Sequence, residues 1–320
     1  MLNRRLLLAL TAGLSLAAVA ASIPAHAAGE RVKAVASFSI LGDLVREVGG
    51  DRVEVATLVG ANGDAHVYEP TPADARKLGE AQLLFENGLA FESWLPRLIR
   101  ASGFAGTRVV VSEGITPRAF RGEDDGHDHA DGHGGGHADH RHGMEDPHAW
   151  QNVANAVIYV KNIAAALEKA DPDHAAAYRE RATAYAARLA ALDAKLKARF
   201  GAIPEARRKV VTTHDAFGYF GSAYGIAFLG PRGVSTESEA SASDVARIID
   251  QIREDGITAV FLENITSPKL TEQIASATGV KVGGRLYSDA LAAPGEPAST
   301  YIGLVESNAA RLIEALGGTP

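Results

Sequence analysis

The chain has 320 residues, of which 46% are hydrophobic and 22% charged, with a formal net charge of −7 and no cysteine. This length suits two ordinary domains, and the apolar content suits a buried core. The acidic balance argues against a nucleic-acid partner, and the lack of cysteine excludes disulfides and thiolate metal sites.

At the N-terminus, Arg4 and Arg5 precede a run of apolar and small residues from Leu6 to Ile23. Ala25-His26-Ala27 then has the small-residue spacing of a cleavage site, so residues 1–27 are expected to be a signal peptide and Ala28 the first mature residue. No other stretch approaches the length of a membrane span.

Val32 to Ala36 is strand-like, Ile40 to Val48 has helical spacing, and Val53 to Val59 is a second strand. Thr71 and Pro72 open a short helix with a hydroxyl at the cap and proline in the first turn. Leu83 to Phe85 is a third apolar run, Phe91 to Ile99 a helix, and Val109 to Val111 a fourth strand. The second half repeats the alternation. Strands are expected at Lys209 to Thr213, Ile226 to Leu229, Ile257 to Leu262 and Val280 to Leu286. Helices are expected through Phe217 and Phe220, and at Ala242 to Ile252, Leu270 to Ala277 and Tyr301 to Leu316. Strands separated by helices of this length imply parallel βαβ units, covered on both sheet faces.

Between the halves, Tyr178, Ala182, Tyr185, Leu189, Leu192, Leu196 and Phe200 recur every three or four residues. A helix is expected from Pro172 to Phe200, with Asp171 as its cap and His174 on the surface of its first turn. The expected divisions are a first lobe over 28–170, a connecting helix over 171–201 and a second lobe over 202–320.

The first lobe contains a histidine-rich loop over 122–145. Six of the eleven histidines in the chain, His127, His129, His133, His137, His140 and His142, lie there among Gly and Asp, with little apolar residue to anchor them. Such a tract is expected to hold metal weakly. His148 is different, because it is fixed between Pro147 and Trp150.

Outside the signal and the loop, His66, His148 and His214 each follow a strand, as does Asp289. In open parallel sheets, ligands bind beyond the carboxyl ends of the strands, so two such residues per lobe would close a tetrahedral site across a cleft. Each residue alone carries little weight. The coincidence of four of them with a histidine-rich tract points to metal.

Four motifs then carry a resemblance: Gly63-Asp64-Ala65-His66-Val67-Tyr68-Glu69-Pro70-Thr71-Pro72, Asp146-Pro147-His148-Ala149-Trp150, Thr213-His214-Asp215-Ala216-Phe217-Gly218-Tyr219-Phe220 and Gly233-Val234-Ser235-Thr236-Glu237-Ser238-Glu239. Together they resemble the zinc/manganese solute-binding proteins of ABC importers, the cluster A-I group. The resemblance runs from Val32 to Leu316. It implies an α/β fold of two Rossmann-like parallel-sheet lobes joined by one long rigid helix, with the metal in the cleft. It puts His66, His148, His214 and Asp289 on the four ligand positions. One departure is Ala65, where the family often has proline.

Three imidazoles and one carboxylate form the donor set that zinc favours. The resemblance agrees, since manganese-type members carry glutamate where this chain has His214. Four protein donors leave no open position for an activated water, and the H-E-x-x-H helix of a zinc hydrolase is absent from the sequence. The expectation is therefore a periplasmic zinc receptor and not an enzyme. It would be monomeric, soluble because no cysteine is available for lipid attachment, and would deliver zinc to an ABC permease in the inner membrane. A metal-donating partner protein is a further possibility. The alternatives are a metal buffer using only the loop histidines, or a manganese receptor of the same fold.

Overall fold

The computed structural model describes residues 31–119 and 145–318. The expected signal peptide and the six loop histidines lie outside the described residues.

The first sheet is built from β1 (Val32–Phe38), β2 (Val53–Val59), β3 (Leu83–Glu86) and β4 (Thr107–Val110), all parallel, in the order β2-β1-β3-β4. Its connecting helices are α1 (Ser39–Gly49), α2 (Pro72–Gly79) and α3 (Leu95–Ser102). β1 is central and buried at six of its seven positions, which explains its run of Val, Ala and Phe without polar alternation. Two helices follow, α4 (Val153–Ala170) and α5 (Ala175–Gly201). The second sheet comprises β5 (Lys209–Val211), β6 (Ala227–Leu229), β7 (Ala259–Glu263) and β8 (Lys281–Leu286) in the order β6-β5-β7-β8, again all parallel. α6 (Gly218–Tyr224), α7 (Ala242–Asp255), α8 (Lys269–Thr278) and α9 (Tyr301–Ala315) complete it. Both sheets thus have the same strand order, a repetition with no counterpart in residue identities.

Local chemistry explains several boundaries. Thr71 and Asp74 cap α2 reciprocally, with Pro72 in the first turn, as the sequence suggests. Ser241 and Asp244 do the same for α7. The helix expected from Phe91 begins only at Leu95, with Pro96 in its first turn, because residues 88–90 form a left-handed turn ahead of it. The long helix also starts later than expected. Pro172–His174 is a separate 3-10 turn, and Asp171 does not cap it. The Asp171 carboxylate instead accepts from Tyr178 Oη at 2.7 Å and pairs with His174 Nδ1 at 2.9 Å, so His174 is half-buried and not a free surface residue.

α4 is the element that the sequence reading omits. Its buried residues Val153, Ala156, Tyr159, Val160, Ile163, Ala164 and Leu167 keep helical spacing and pack along α5. All seven apolar positions expected on the long helix are buried. α5, about 40 Å long at 1.5 Å per residue, packs against α1 and α4 of the first half and against α6 and α9 of the second. One hydrophobic core therefore runs through both sheets, with a smaller second core of Val211, Ile248, Ile252, Ile257, Val260 and Ile274. Among the described residues no helix is long and apolar enough to cross a membrane.

Candidate metal centre

The four residues singled out from the sequence come together. His148, His214 and Asp289 are fully buried and His66 is 5% exposed, so the cluster is enclosed. One donor atom from each lies within 4.8 Å of the others.

His66 stands in the loop after β2. Asp64 Oδ1 accepts from its backbone nitrogen at 2.9 Å, while Asp64 Oδ2 accepts from Thr236 Oγ1 of the second lobe at 2.6 Å. The ring of Phe91 packs against the imidazole edge-on, 4.8 Å between centroids.

His148 is held by the residue two before it. Asp146 Oδ1 accepts from both the backbone nitrogen of His148, at 3.0 Å, and its Nδ1, at 2.8 Å. That contact puts the ring proton on Nδ1 and leaves the Nε2 lone pair facing the cluster. The other oxygen of Asp146 accepts from Arg118 Nη1 at 3.1 Å. Gly218 makes this approach possible, since a Cβ there would stand 2.1 Å from Arg118 Nη1.

His214 follows β5, and its orienting carboxylate comes from the end of the adjacent strand β7. Glu263 Oε1 accepts from the backbone nitrogens of Thr213, at 2.7 Å, and His214, at 3.0 Å. Glu263 Oε2 lies 2.6 Å from His214 Nδ1, an ion-pair distance, although the two are not aligned as a hydrogen bond. Asp289, beyond β8, brings a carboxylate to the centre.

Four of the separations lie near those of a tetrahedral cation. Bonds of 2.0–2.1 Å, typical of zinc to nitrogen and oxygen, set donor atoms about 3.4 Å apart. Here His66 Nε2 and His214 Nε2 are each 3.2 Å from Asp289 Oδ2, His66 Nε2 is 3.3 Å from His148 Nε2, and His148 Nε2 is 3.6 Å from Asp289 Oδ1. Both oxygens of Asp289 and the Nε2 of His214 are buried without a hydrogen-bond partner. Buried polar atoms are rarely left so, and a cation between them would satisfy all three.

Charge points the same way. Burial pushes the Asp289 carboxyl upward, but His148 and His214 outweigh it and hold the group well below the usual carboxylate range. Burial pushes His214 down, while Glu263 and Asp289 raise it well above the ordinary imidazole value. His148 is likewise opposed by burial, yet Asp289 and Asp146 bring it up to about 9. Three buried carboxylates therefore draw positive charge inward, and a divalent cation supplies it without protonating the rings.

Sequence reasoning missed the supporting groups. Asp146 is the one with a local signal, a carboxylate two residues before a candidate ligand histidine. Glu263 and Arg118 gave none. They reach the site only through the strand order of the second sheet and the meeting of Arg118 with Gly218.

Known proteins share this architecture. The family described as zinc-uptake complex component A, periplasmic, matches residues 34–315. The iron-binding protein YfeA of Yersinia pestis is 34% identical over 306 residues, covering 95% of this chain and 92% of its own. The periplasmic zinc binding protein TroA of Treponema pallidum superposes with a TM-score of 0.79 at 30% identity, over 89% of this chain and 99% of its own. A manganese-bound periplasmic metal binding protein of Candidatus Liberibacter asiaticus gives a TM-score of 0.76 at 29% identity, over 89% of this chain and all of its own. Relatives of this kind are substrate-binding receptors of metal ABC transporters, not enzymes. The chain belongs to the zinc-uptake component A family, the metal-binding receptors that serve ABC importers.

Proposed function

We propose that this protein is an exported zinc receptor, with His66, His148, His214 and Asp289 as the ligands that carry zinc to an inner-membrane ABC permease. The observation that carries the reading is that three imidazole nitrogens each lie 3.2–3.6 Å from one buried carboxylate, near the edge length of a zinc tetrahedron. The relatives are named for zinc, iron and manganese alike, so the donor set of this chain is what supports zinc. Manganese favours oxygen ligands and higher coordination, whereas imidazole suits zinc. Four protein donors also leave no position for an activated water, which favours carriage over catalysis.

We further take residues 28–170 and 202–320 as lobes about the connector 171–201, with export through residues 1–27 to the periplasm. Packing of α5 against helices of both halves supports a stiff receptor that holds its ligands in place before the cation arrives. A manganese or iron receptor of the same fold is the second reading, favoured by the names of relatives at 28–34% identity.

The test is a competitive zinc and manganese titration of the protein lacking residues 124–143. The expected result is one tight zinc site, indifferent to manganese and weakened at least a hundredfold, on the order expected for a lost ligand, by His214→Ala. Preference for manganese would replace zinc with the second reading. Loss of tight binding with the loop removed would make the protein a metal buffer.

A further inference from the structure

Among the described residues, three that are not glycine have positive φ: Asn62, Leu89 and Ala90. Asn62 is of the tolerant kind. Leu89 at 54° and Ala90 at 59° are not, and they follow Gly88 at 82°, so three consecutive residues are left-handed. Side-chain-bearing residues stay in such a conformation only where their surroundings over-determine it.

Here the surroundings do. The buried carboxylate of Glu92 accepts from the backbone nitrogens of Asn87, at 2.7 Å, and Gly88, at 3.3 Å, and from Ser37 Oγ of β1 at 2.7 Å. The nitrogen of Phe91 closes the turn onto the Gly88 carbonyl at 3.1 Å. Gly88 is pressed against the sheet, since a Cβ there would stand 2.6 Å from Val110 Cγ1.

The turn delivers two contacts to the metal centre. Phe91 packs edge-on to His66, and its centroid lies 6.1 Å from that of His148. Asn87 Nδ2 donates at 2.9 Å to the carbonyl of Pro147, the residue before His148, and Asn87 Oδ1 accepts from Tyr159 Oη. One strained turn thus touches the positions of both imidazoles that the first lobe contributes, although neither is on it.

We propose that this turn, clamped by Glu92, fixes His66 and His148 relative to each other and so sets how slowly a bound divalent cation leaves, with Asn87, Phe91 and Glu92 as positioning residues. The inference rests on the reading of the four side chains as metal ligands. An imidazole free to turn about its side-chain bonds must be ordered each time the cation binds, whereas one packed against a fixed ring and a fixed carbonyl is ordered in advance.

The experiment follows release of zinc from the loaded, full-length protein to a fluorescent chelator by stopped flow, with cation-free thermal unfolding of each variant alongside. Leu89→Gly combined with Ala90→Gly keeps every positioning side chain and the Glu92 clamp but opens other backbone conformations to the turn. Relieved strain offsets the added freedom of the unfolded chain, and the loss of the partly buried Leu89 side chain, which the asparagine pair shares, lowers its unfolding stability modestly. Its zinc release is expected about tenfold faster, the scale on which groups behind metal ligands act. Asparagine tolerates left-handed backbone, so Leu89→Asn with Ala90→Asn is expected to release at the native rate. Glu92→Ala, where it folds, is expected to release as fast as the glycine pair; where it does not fold, the glycine pair decides. Native release by the glycine pair overturns the proposal, and so does equally fast release by the asparagine pair. If the native protein retains neither zinc nor manganese, it is the four-ligand reading that fails, before any variant is compared.

Discussion

Trp150 Nε1 donates to the carbonyl of Ser288 at 3.0 Å, tying the segment that carries His148 to the segment that carries Asp289. Gln151 Nε2 donates to the same carbonyl at 2.6 Å, and Tyr301 Oη donates to the carbonyl of Trp150 at 2.6 Å. The segments that carry His148 and Asp289 are therefore tied together by buried hydrogen bonds one or two residues away. Trp150→Phe removes the indole donor and leaves a gap in a fully buried position. It is expected to lower unfolding stability by roughly 2 kcal/mol and zinc affinity by about tenfold. Urea denaturation and a chelator-competition titration check both. Native affinity in this variant would mean that the lobes hold the ligands apart from this tie.

Glu263→Gln tests the carboxylate behind His214. A glutamine oxygen still accepts from the nitrogens of Thr213 and His214, so the loop keeps its shape. What is lost is the negative charge beside Nδ1. Zinc affinity is expected to fall about 10- to 100-fold, the usual cost of removing a group that orients a metal-bound histidine. Unchanged zinc affinity would show that the charge is not used.

Zinc should stabilise the fold by mass action. At a free concentration roughly a thousand times the dissociation constant, a cation that binds only the folded state adds about 4 kcal/mol. The melting temperature is expected to rise with zinc in the native protein and to stay flat in His66→Ala. A rise of the same size in that variant would locate binding elsewhere.

Asp43 gives a pH dependence away from the metal. It lies on α1 and accepts from the backbone nitrogen of Tyr301 at the start of α9, 2.7 Å away. Burial raises its carboxyl from 3.8 to about 6, against the opposing pull of the Tyr301 hydrogen bond, with Glu47 raising it further and Arg46 and Arg188 lowering it. Because the folded value lies above the unfolded one, the folded state holds the proton more tightly. The resulting stability is complete below about pH 4 and is lost as pH rises through 6, by at most roughly 3 kcal/mol. Asp43→Asn keeps an acceptor for Tyr301 and removes the titration. Its stability is expected to gain on the native protein between pH 4 and pH 6.5, as measured by denaturation at each pH. Parallel curves would contradict this.

The sequence made much of the site legible because its signals are short-range. His66, His214 and Asp289 each follow a strand, and His148 stands in Asp-Pro-His-Ala-Trp, so four positions could be nominated before any fold was known. Thr71 and Asp74 were readable as a cap because both partners lie within one helical turn. The helix from Val153 to Ala170 buries residues at equally regular helical spacing, so its periodicity was legible too. The helix expected at Phe91 was displaced by a turn whose left-handed residues, Leu89 and Ala90, no local preference would suggest.

What the sequence determined by itself is chemistry and order: nitrogen and oxygen donors without thiolate, alternating strands and helices, and a long helix with one apolar face. Convergence was decided by tertiary structure. Glu263 reaches His214 because β7 lies beside β5, Arg118 reaches Asp146 because Gly218 leaves room, and Asp289 meets three imidazoles because the two lobes share one core. Propensities and caps act between residues a few positions apart. The candidate site depends on pairs separated by as many as 223 residues (66 to 289), which only the packing of sheets and helices brings within 3.2 Å.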